Sequence, residues 1–173
     1  MNAPLSPEPV LLQKAELQAN VLKGLKAHLP AHALLWQTED ITPYECDGLT
    51  AYRQHPLVVA LPETYEQVQA VLQTCHAMRV PVVARGAGTG LSGGALPNAL
   101  GVTLSLAKFN KILKIDAASR TALVQGGVRN LAISEAAAPH GLYYAPDPSS
   151  QIACTIGGNV AENSGGVHCL KYG

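Results

Sequence analysis

Half of the ten residues Arg85-Gly86-Ala87-Gly88-Thr89-Gly90-Leu91-Ser92-Gly93-Gly94 are glycine. Glycine loses more backbone freedom on folding than any other residue, so such a run needs a reason in local geometry. One reason is a nest: successive N–H groups with no Cβ in the way form a concavity for an anion, most often phosphate. Several readings compete. A Walker loop needs G-x-x-x-x-G-K-[ST]. Gly88 and Gly93 have that spacing, but Gly94 stands where the lysine belongs, so an NTPase is excluded. Gly88-Thr89-Gly90-Leu91-Ser92-Gly93 matches the letters of the Rossmann fingerprint G-x-G-x-x-G. That turn must open directly into a helix whose N-terminus holds the pyrophosphate. Here the chain continues instead as Gly94-Ala-Leu-Pro-Asn-Ala-Leu-Gly101 and then a strand-like pattern, and Asp116 downstream lies in a hairpin context. A third reading is a free-standing diphosphate loop with a dinucleotide lying across the domain. A fourth is a glycine turn with no ligand.

A second stretch could do related work. Tyr143-Tyr144-Ala145-Pro146-Asp147-Pro148-Ser149-Ser150 is followed by Thr155-Ile-Gly157-Gly158-Asn159-Val-Ala161-Glu162-Asn163-Ser164-Gly165-Gly166. Gly157 and Gly158 allow a ring system or a diphosphate to approach the backbone. Asn159, Asn163 and Ser164 offer neutral donors and acceptors, which suits orienting a cofactor's polar edge. Thr155 is positioned to cap a short helix. A turn-rich connector accounts equally well for so many Pro, Asp, Ser and Asn residues. Glu162 is assigned nothing beyond facing water. The six histidines (His28, His32, His55, His76, His140, His168) fall on or beside helices and turns, and none makes a defensible catalytic base. His168 beside Cys169 reads as structural. The catalytic residues are left unknown, and no metal site is expected.

The elements that position these loops are partly legible. Residues 10–29 carry a loose apolar stripe, Leu11, Ala15, Leu22, Leu25 and Leu29, and Pro30 ends the predicted helix. Residues 30–55 are rich in turn formers and read as an irregular arm. Leu57–Leu61 is a buried strand by its apolar, β-branched character. Thr64-x-x-Gln67 is a capping-box pattern, and Val68, Val71, Leu72, Cys75 and Met78 give the following helix its core face. Val80–Ala84 is a second strand, closing a βαβ unit with parallel strands. Val102–Leu106 alternates as a half-buried strand does. Ile112–Asp116 and Thr121–Gln125 flank a turn as a β-hairpin, and a short helix is expected over about 128–138. A βαβ unit joined to a hairpin points to an α+β fold.

Composition narrows the function classes. The chain has 173 residues, with 12 basic and 12 acidic side chains, so it has no basic excess. Without one it cannot replace the counterions of nucleic-acid phosphates, and no nucleic-acid partner is expected. Hydrophobic residues make up 47%, which opposes disorder. No run reaches the roughly 18 apolar residues of a membrane span. The leader MNAPLSPEPV, with Pro4, Pro7 and Pro9, reads as loose and lacks the pattern of a secretory signal. The four cysteines show no metal spacing, and with no export signal they read as reduced thiols of a cytoplasmic protein.

VPVVARGAGTGLSGGALP, followed by APDPSSQIACTIGGNVAENSGG, resembles the FAD-binding domain of the vanillyl-alcohol oxidase and p-cresol methylhydroxylase superfamily, the PCMH type. Within it, the sequence resembles the flavin subunits of bacterial glycolate oxidases, with the D-lactate and D-2-hydroxyglutarate dehydrogenases as near relatives. The resemblance runs from about Leu12 to Gly173. It implies an N-terminal helix and arm over 1–54 and the FAD-binding domain over 55–173, whose first subdomain holds the βαβ unit and hairpin. It implies that the loop from Arg85 to Gly94 holds the pyrophosphate. Pro146, Asp147, Ser149, Ser150, Gly157, Gly158, Asn159, Ala161, Asn163, Gly165 and Gly166 would line the flavin and ribityl side. Relatives with covalent flavin use a histidine in the glycine loop. Thr89 stands at that place here, which implies non-covalent FAD. The implied activity is oxidation of a small 2-hydroxy acid, with a second flavin-type subunit and an iron–sulfur subunit as partners, in the cytoplasm or held at the inner face of the membrane through them. Members of this type continue into a second FAD subdomain and a substrate domain. The domain is therefore expected to be incomplete at Lys171-Tyr172-Gly173. A non-catalytic module of the same fold, or a Rossmann NAD-binding protein, remains as the alternative.

Overall fold

The structure is a computed structural model that describes residues 7–172, with side chains described from residue 11. The first six residues of the expected leader lie outside the described residues. The chain divides into two compact units. The first takes the chain to Cys46, then Tyr52–Val83 and Leu96–Leu104; the second takes Asp47–Ala51, Ala84–Ala95 and the chain from Ser105 onward.

In the first unit, helix α1 spans Pro7–Leu25. Pro7 and Pro9 occupy its first turn, where a proline's missing N–H would have no helical partner anyway. The loose leader expected there is therefore helical from Pro7. Only the C-terminal half of the apolar stripe is used: Val21, Leu22, Leu25 and, beyond the helix, Leu29 are buried, while Leu11 is exposed. Ala15 is exposed too. Gly24 is where α1 meets helix α3 (Tyr65–Ala77), since a Cβ there would lie 2.9 Å from Thr74 Cγ2. The arm expected to be irregular contains strand β1 (Leu34–Leu35) and helix α2 (Thr38–Ile41). Elements this short carry no readable period, which is why the sequence hid them.

Strand β2 (Val58–Ala60) pairs antiparallel with β1, Leu34 facing Ala60 and Leu35 facing Val59. The capping box of α3 forms with one change of partner. Thr64 Oγ1 accepts from Gln67 N at 3.3 Å, while Gln67 Oε1 accepts from Glu63 N at 2.7 Å, one residue before the cap. Val71 and Cys75 are the buried face of α3, and Leu72 is exposed. Strands β3 (Val82–Arg85) and β4 (Val102–Ser105) complete a sheet of order β1-β2-β4-β3. β4 runs parallel to β2, with Val58 opposite Val102 and Ala60 opposite Leu104. The later strand therefore inserts between the two strands of the βαβ unit. This placement corrects the half-buried reading of β4. Val102, Thr103, Leu104 and Ser105 are all buried, because an inner strand is covered on both faces.

In the second unit, strands β5 (Ile112–Asp116) and β6 (Thr121–Val124) form the expected hairpin. Helix α4 spans Asn130–Ala137, and Gly141 adopts the left-handed conformation at φ 70° after a short 3-10 turn. Helices α5 (Ile156–Glu162) and α6 (Cys169–Tyr172) follow. Among the described residues, no helix is long and apolar enough to cross a membrane.

Candidate functional site

The glycine loop leaves the end of β3, and the next regular element is β4; no helix starts from the loop. The Rossmann reading is therefore excluded. Among the described residues, no backbone N–H from Gly86 to Ala95 donates a hydrogen bond to another backbone group. Gly88 and Gly93 have φ of +71° and +75°, the left-handed region that side chains disfavour. The loop is a run of unclaimed donors with an open face.

That face borders a cavity of about 330 Å³ within the second unit. From the first motif it is lined by Gly86, Ala87, Gly88, Thr89, Gly90 and Gly94. From the second it is lined by Ser150, Gly158, Asn159 and Ala161, together with Cys154, Thr155, Glu162 and Ser164. The two motifs, some sixty residues apart in the chain, thus share one concavity. At Gly86 the missing side chain is required locally, and at Gly90 it leaves room for the end of a flexible side chain. A Cβ on Gly86 would lie 2.5 Å from Thr155 Oγ1, and one on Gly90 would overlap the Glu162 carboxylate. Behind the loop lies Arg85, 8% exposed, whose guanidinium packs so closely under Gly88 that a Cβ there would overlap it. A buried positive charge thus backs the row of amides.

The remaining expected residues fall elsewhere. Leu91 and Ser92 are exposed and Gly93 points away from any neighbour. Pro146, Asn163 and Gly165 line a smaller adjoining cavity of about 170 Å³, which shares Asn159 and Ser164 with the larger one. Asp147 and Gly166 form a clasp: they pair as a β-bridge, and Asp147 N donates to Gly165 O at 3.2 Å. His168 Nδ1 lies 3.1 Å from Asp147 Oδ1, a hydrogen bond that holds the Asp147 carboxyl below the usual carboxylate range. This agrees with the structural reading of His168. Gly157 is used against the backbone of Gly126, where a Cβ would come within 2.9 Å of Gly126 O, and does not reach the cavity. Ser149 is exposed and lines neither cavity.

Three contributors were missed. Thr155 precedes α5 but its hydroxyl caps nothing; Oγ1 is buried with no hydrogen-bond partner, in a residue that lines the cavity. A buried hydroxyl left unsatisfied costs about 1–3 kcal/mol; Thr103 Oγ1 and Asp47 Oδ2 are unpartnered in the same way. Asn130 is fully buried at the start of α4, donating Nδ2 to Pro146 O at 3.0 Å and accepting from Asn159 Nδ2 at 2.9 Å. One side chain so ties the proline-rich segment to α5. Gly48 lies against the back of the loop, where a Cβ would be 2.8 Å from the carbonyl oxygens of Thr89 and Gly90. An Asn inside an apolar helix pattern was the available signal for Asn130, and its place at the head of the second motif was that for Thr155; Gly48 had none.

Unpaired amides around a glycine-lined hollow suit an anionic ligand held on the backbone. The family model described as "FAD binding domain" matches residues 56–173, and the chain belongs to that family. Its cofactor is FAD, and the cradle fits that molecule's diphosphate. The chain is 65% identical over 156 residues to "Glycolate oxidase subunit GlcD" of Escherichia coli (strain K12), covering 90% of this chain and 31% of that protein. It is 40% identical over 150 residues to "D-2-hydroxyglutarate dehydrogenase" of Xanthomonas citri pv. viticola, covering 87% of this chain and 32% of that protein. The solved structure of alkyldihydroxyacetonephosphate synthase has the same fold, with a TM-score of 0.79, 23% identity, and coverage of 90% of this chain and 31% of that one. The chain thus spans about a third of the length of these relatives.

Proposed function

We propose that this chain is the part of a flavin-dependent 2-hydroxy-acid oxidoreductase that holds FAD, non-covalently, with the diphosphate against the loop Gly86–Gly94. The observation that carries this reading is the row of unclaimed amides facing a cavity in which a Cβ at Gly86 or Gly90 would meet Thr155 or Glu162. The loop N–H groups would hydrogen-bond the phosphate oxygens, and Arg85 behind Gly88 would supply positive charge without occupying the cradle. Thr155 Oγ1 and the cavity-lining Asn159 and Ser164 would orient the polar parts of the dinucleotide. Bound FAD supplies the two-electron redox chemistry, as the protein orients it and tunes its electronics. The residues of this chain bind and orient, and none of them is offered as the base that takes the substrate's hydroxyl proton.

The names of the relatives, a glycolate oxidase subunit and a D-2-hydroxyglutarate dehydrogenase, favour a small 2-hydroxy acid as the substrate. The word subunit in the first favours a multi-subunit enzyme. We extend this to a second flavin-type subunit and an iron–sulfur subunit as electron acceptors, in the cytoplasm. Gly90→Val is the informative variant. The atoms nearest its new Cβ are those at the end of an exposed glutamate, which can swing away. It should leave thermal stability intact and reduce retention of FAD on ultrafiltration at least ten-fold. Retention equal to that of the unsubstituted chain would overturn the assignment of the diphosphate to this loop. Failure of the folded, unsubstituted chain to take up FAD would favour a non-catalytic module of the same fold.

A further inference from the structure

The sequence offers no reason to single out Glu162, and it lies on an exposed position. Its carboxylate is nonetheless turned onto the glycine loop. A Cβ built on Gly90 would overlap Glu162 Oε1 and come within 3.2 Å of Oε2, and one on Gly94 would lie 3.8 Å from Oε1. The residue lines the same cavity as Gly86, Gly88 and Gly90. Nothing secures it there: among the described residues its carboxylate makes no hydrogen bond or ion pair. Nor does its place in α5 account for it. Glu162 is the last residue of that helix, before Asn163 at φ 56°, and a negative charge at a helix C-terminus is disfavoured by the backbone dipoles. The loop therefore stands between two charges, the Arg85 guanidinium packed behind Gly88 and the Glu162 carboxylate in front of Gly90.

We propose that Glu162 is an internal competitor for the diphosphate: its carboxylate occupies the front of the cradle in the empty protein and is displaced when the dinucleotide enters. This inference rests on the assignment of the cavity to FAD and adds how tightly the site holds it. The diphosphate is anionic and the amides of Gly86–Gly94 are its donors, so it requires the space over Gly90 that the carboxylate takes. Like charges a few ångströms apart at a half-exposed site repel appreciably, and salt screens that repulsion. Glu162 thus weakens the grip of the loop and keeps the cofactor exchangeable.

Glu162→Gln keeps the shape and removes the charge at an exposed position, so it leaves the fold untouched. FAD titrated into both proteins at low ionic strength should bind about ten-fold more tightly to the variant. The gap should narrow as sodium chloride is raised towards about 1 M, where the screening length falls to ~3 Å. Inorganic pyrophosphate, which carries the charge without the flavin, should stabilise the variant against heat more than it stabilises the parent. Equal affinities overturn the proposal. So does weaker binding by the variant, which would mean that the carboxylate accepts from a hydroxyl of the dinucleotide. If neither protein binds FAD although both are folded, the functional reading of the cavity itself falls.

Discussion

Replacing Asn130 by alanine tests how the two motifs are held together. Asn130 is 0% exposed and its amide spans two partners, Pro146 O at 3.0 Å and Asn159 Nδ2 at 2.9 Å. Each hydrogen bond contributes about 1 kcal/mol, and a buried partner left without one costs about 1–3 kcal/mol. The Asn159 amide is inside a residue only 7% exposed, so water does not readily replace the lost acceptor. The expected loss is about 3 kcal/mol, which for a chain of this size lowers the unfolding midpoint by about 6–12 °C. Circular dichroism melts and urea titrations of the chain measure it. A cycle with Asn159→Ala isolates the pair. The double variant should be less damaged than the sum of the two single ones, with a coupling of about 0.5–3 kcal/mol. A loss under about 1 kcal/mol for Asn130→Ala, or strict additivity in the cycle, would refute the view that this side chain joins the proline-rich segment to α5.

Further outcomes rest on the same geometry. Gly166→Ala should cost more than about 2 kcal/mol, because the residue is left-handed and its Cβ would overlap the Asp147 carbonyl. Gly93→Ala, equally left-handed but with no atom within 4 Å, should cost only about 1 kcal/mol in the same urea titration. Burial pushes the Cys75 thiol up to about 11, so iodoacetamide at neutral pH should label exposed Cys169 and spare Cys75 until the chain unfolds. Equal labelling of the two by mass spectrometry would contradict that packing. The Asp116 carboxyl is held below the usual range by the Ser119 amide at 3.0 Å and by Lys114 Nζ at 2.9 Å. A carboxyl depressed by folding contributes stability above its unfolded pKa of about 3.9 and loses it as pH falls through the lower folded value. Protection of the Ser119 amide, measured as its exchange rate against that of an unstructured peptide at the same pH, should therefore fall on acidification through that window, and Asp116→Asn should flatten the response.

What the sequence made legible was local chemistry. Five glycines in ten residues at the end of an apolar strand marked the loop whose amides stay unpaired, and the hairpin and the cap at Thr64 could be read from short-range patterns. What it concealed depended on pairing between distant segments. The alternation in Val102–Ser105 described a half-buried strand, but a polar residue in an inner strand is buried whatever its neighbours. Gly157 and Gly166 looked like ligand contacts because glycine permits close approach; here the approaching group is the protein's own backbone. Thr155 had the right type and position for a cap, and only the fold reveals that its hydroxyl finds no amide to accept from. Glu162 lay in plain view, yet nothing in its neighbours along the chain aims it at a loop some seventy residues earlier.

The amide resonances of the ¹⁵N-labelled chain, followed as FAD is added, test the central assignment most directly. The loop from Gly86 to Gly94 and the segment from Thr155 to Ser164 should shift together and saturate at one equivalent. Saturating shifts confined to residues outside these two segments, with the loop glycines unmoved, would contradict it.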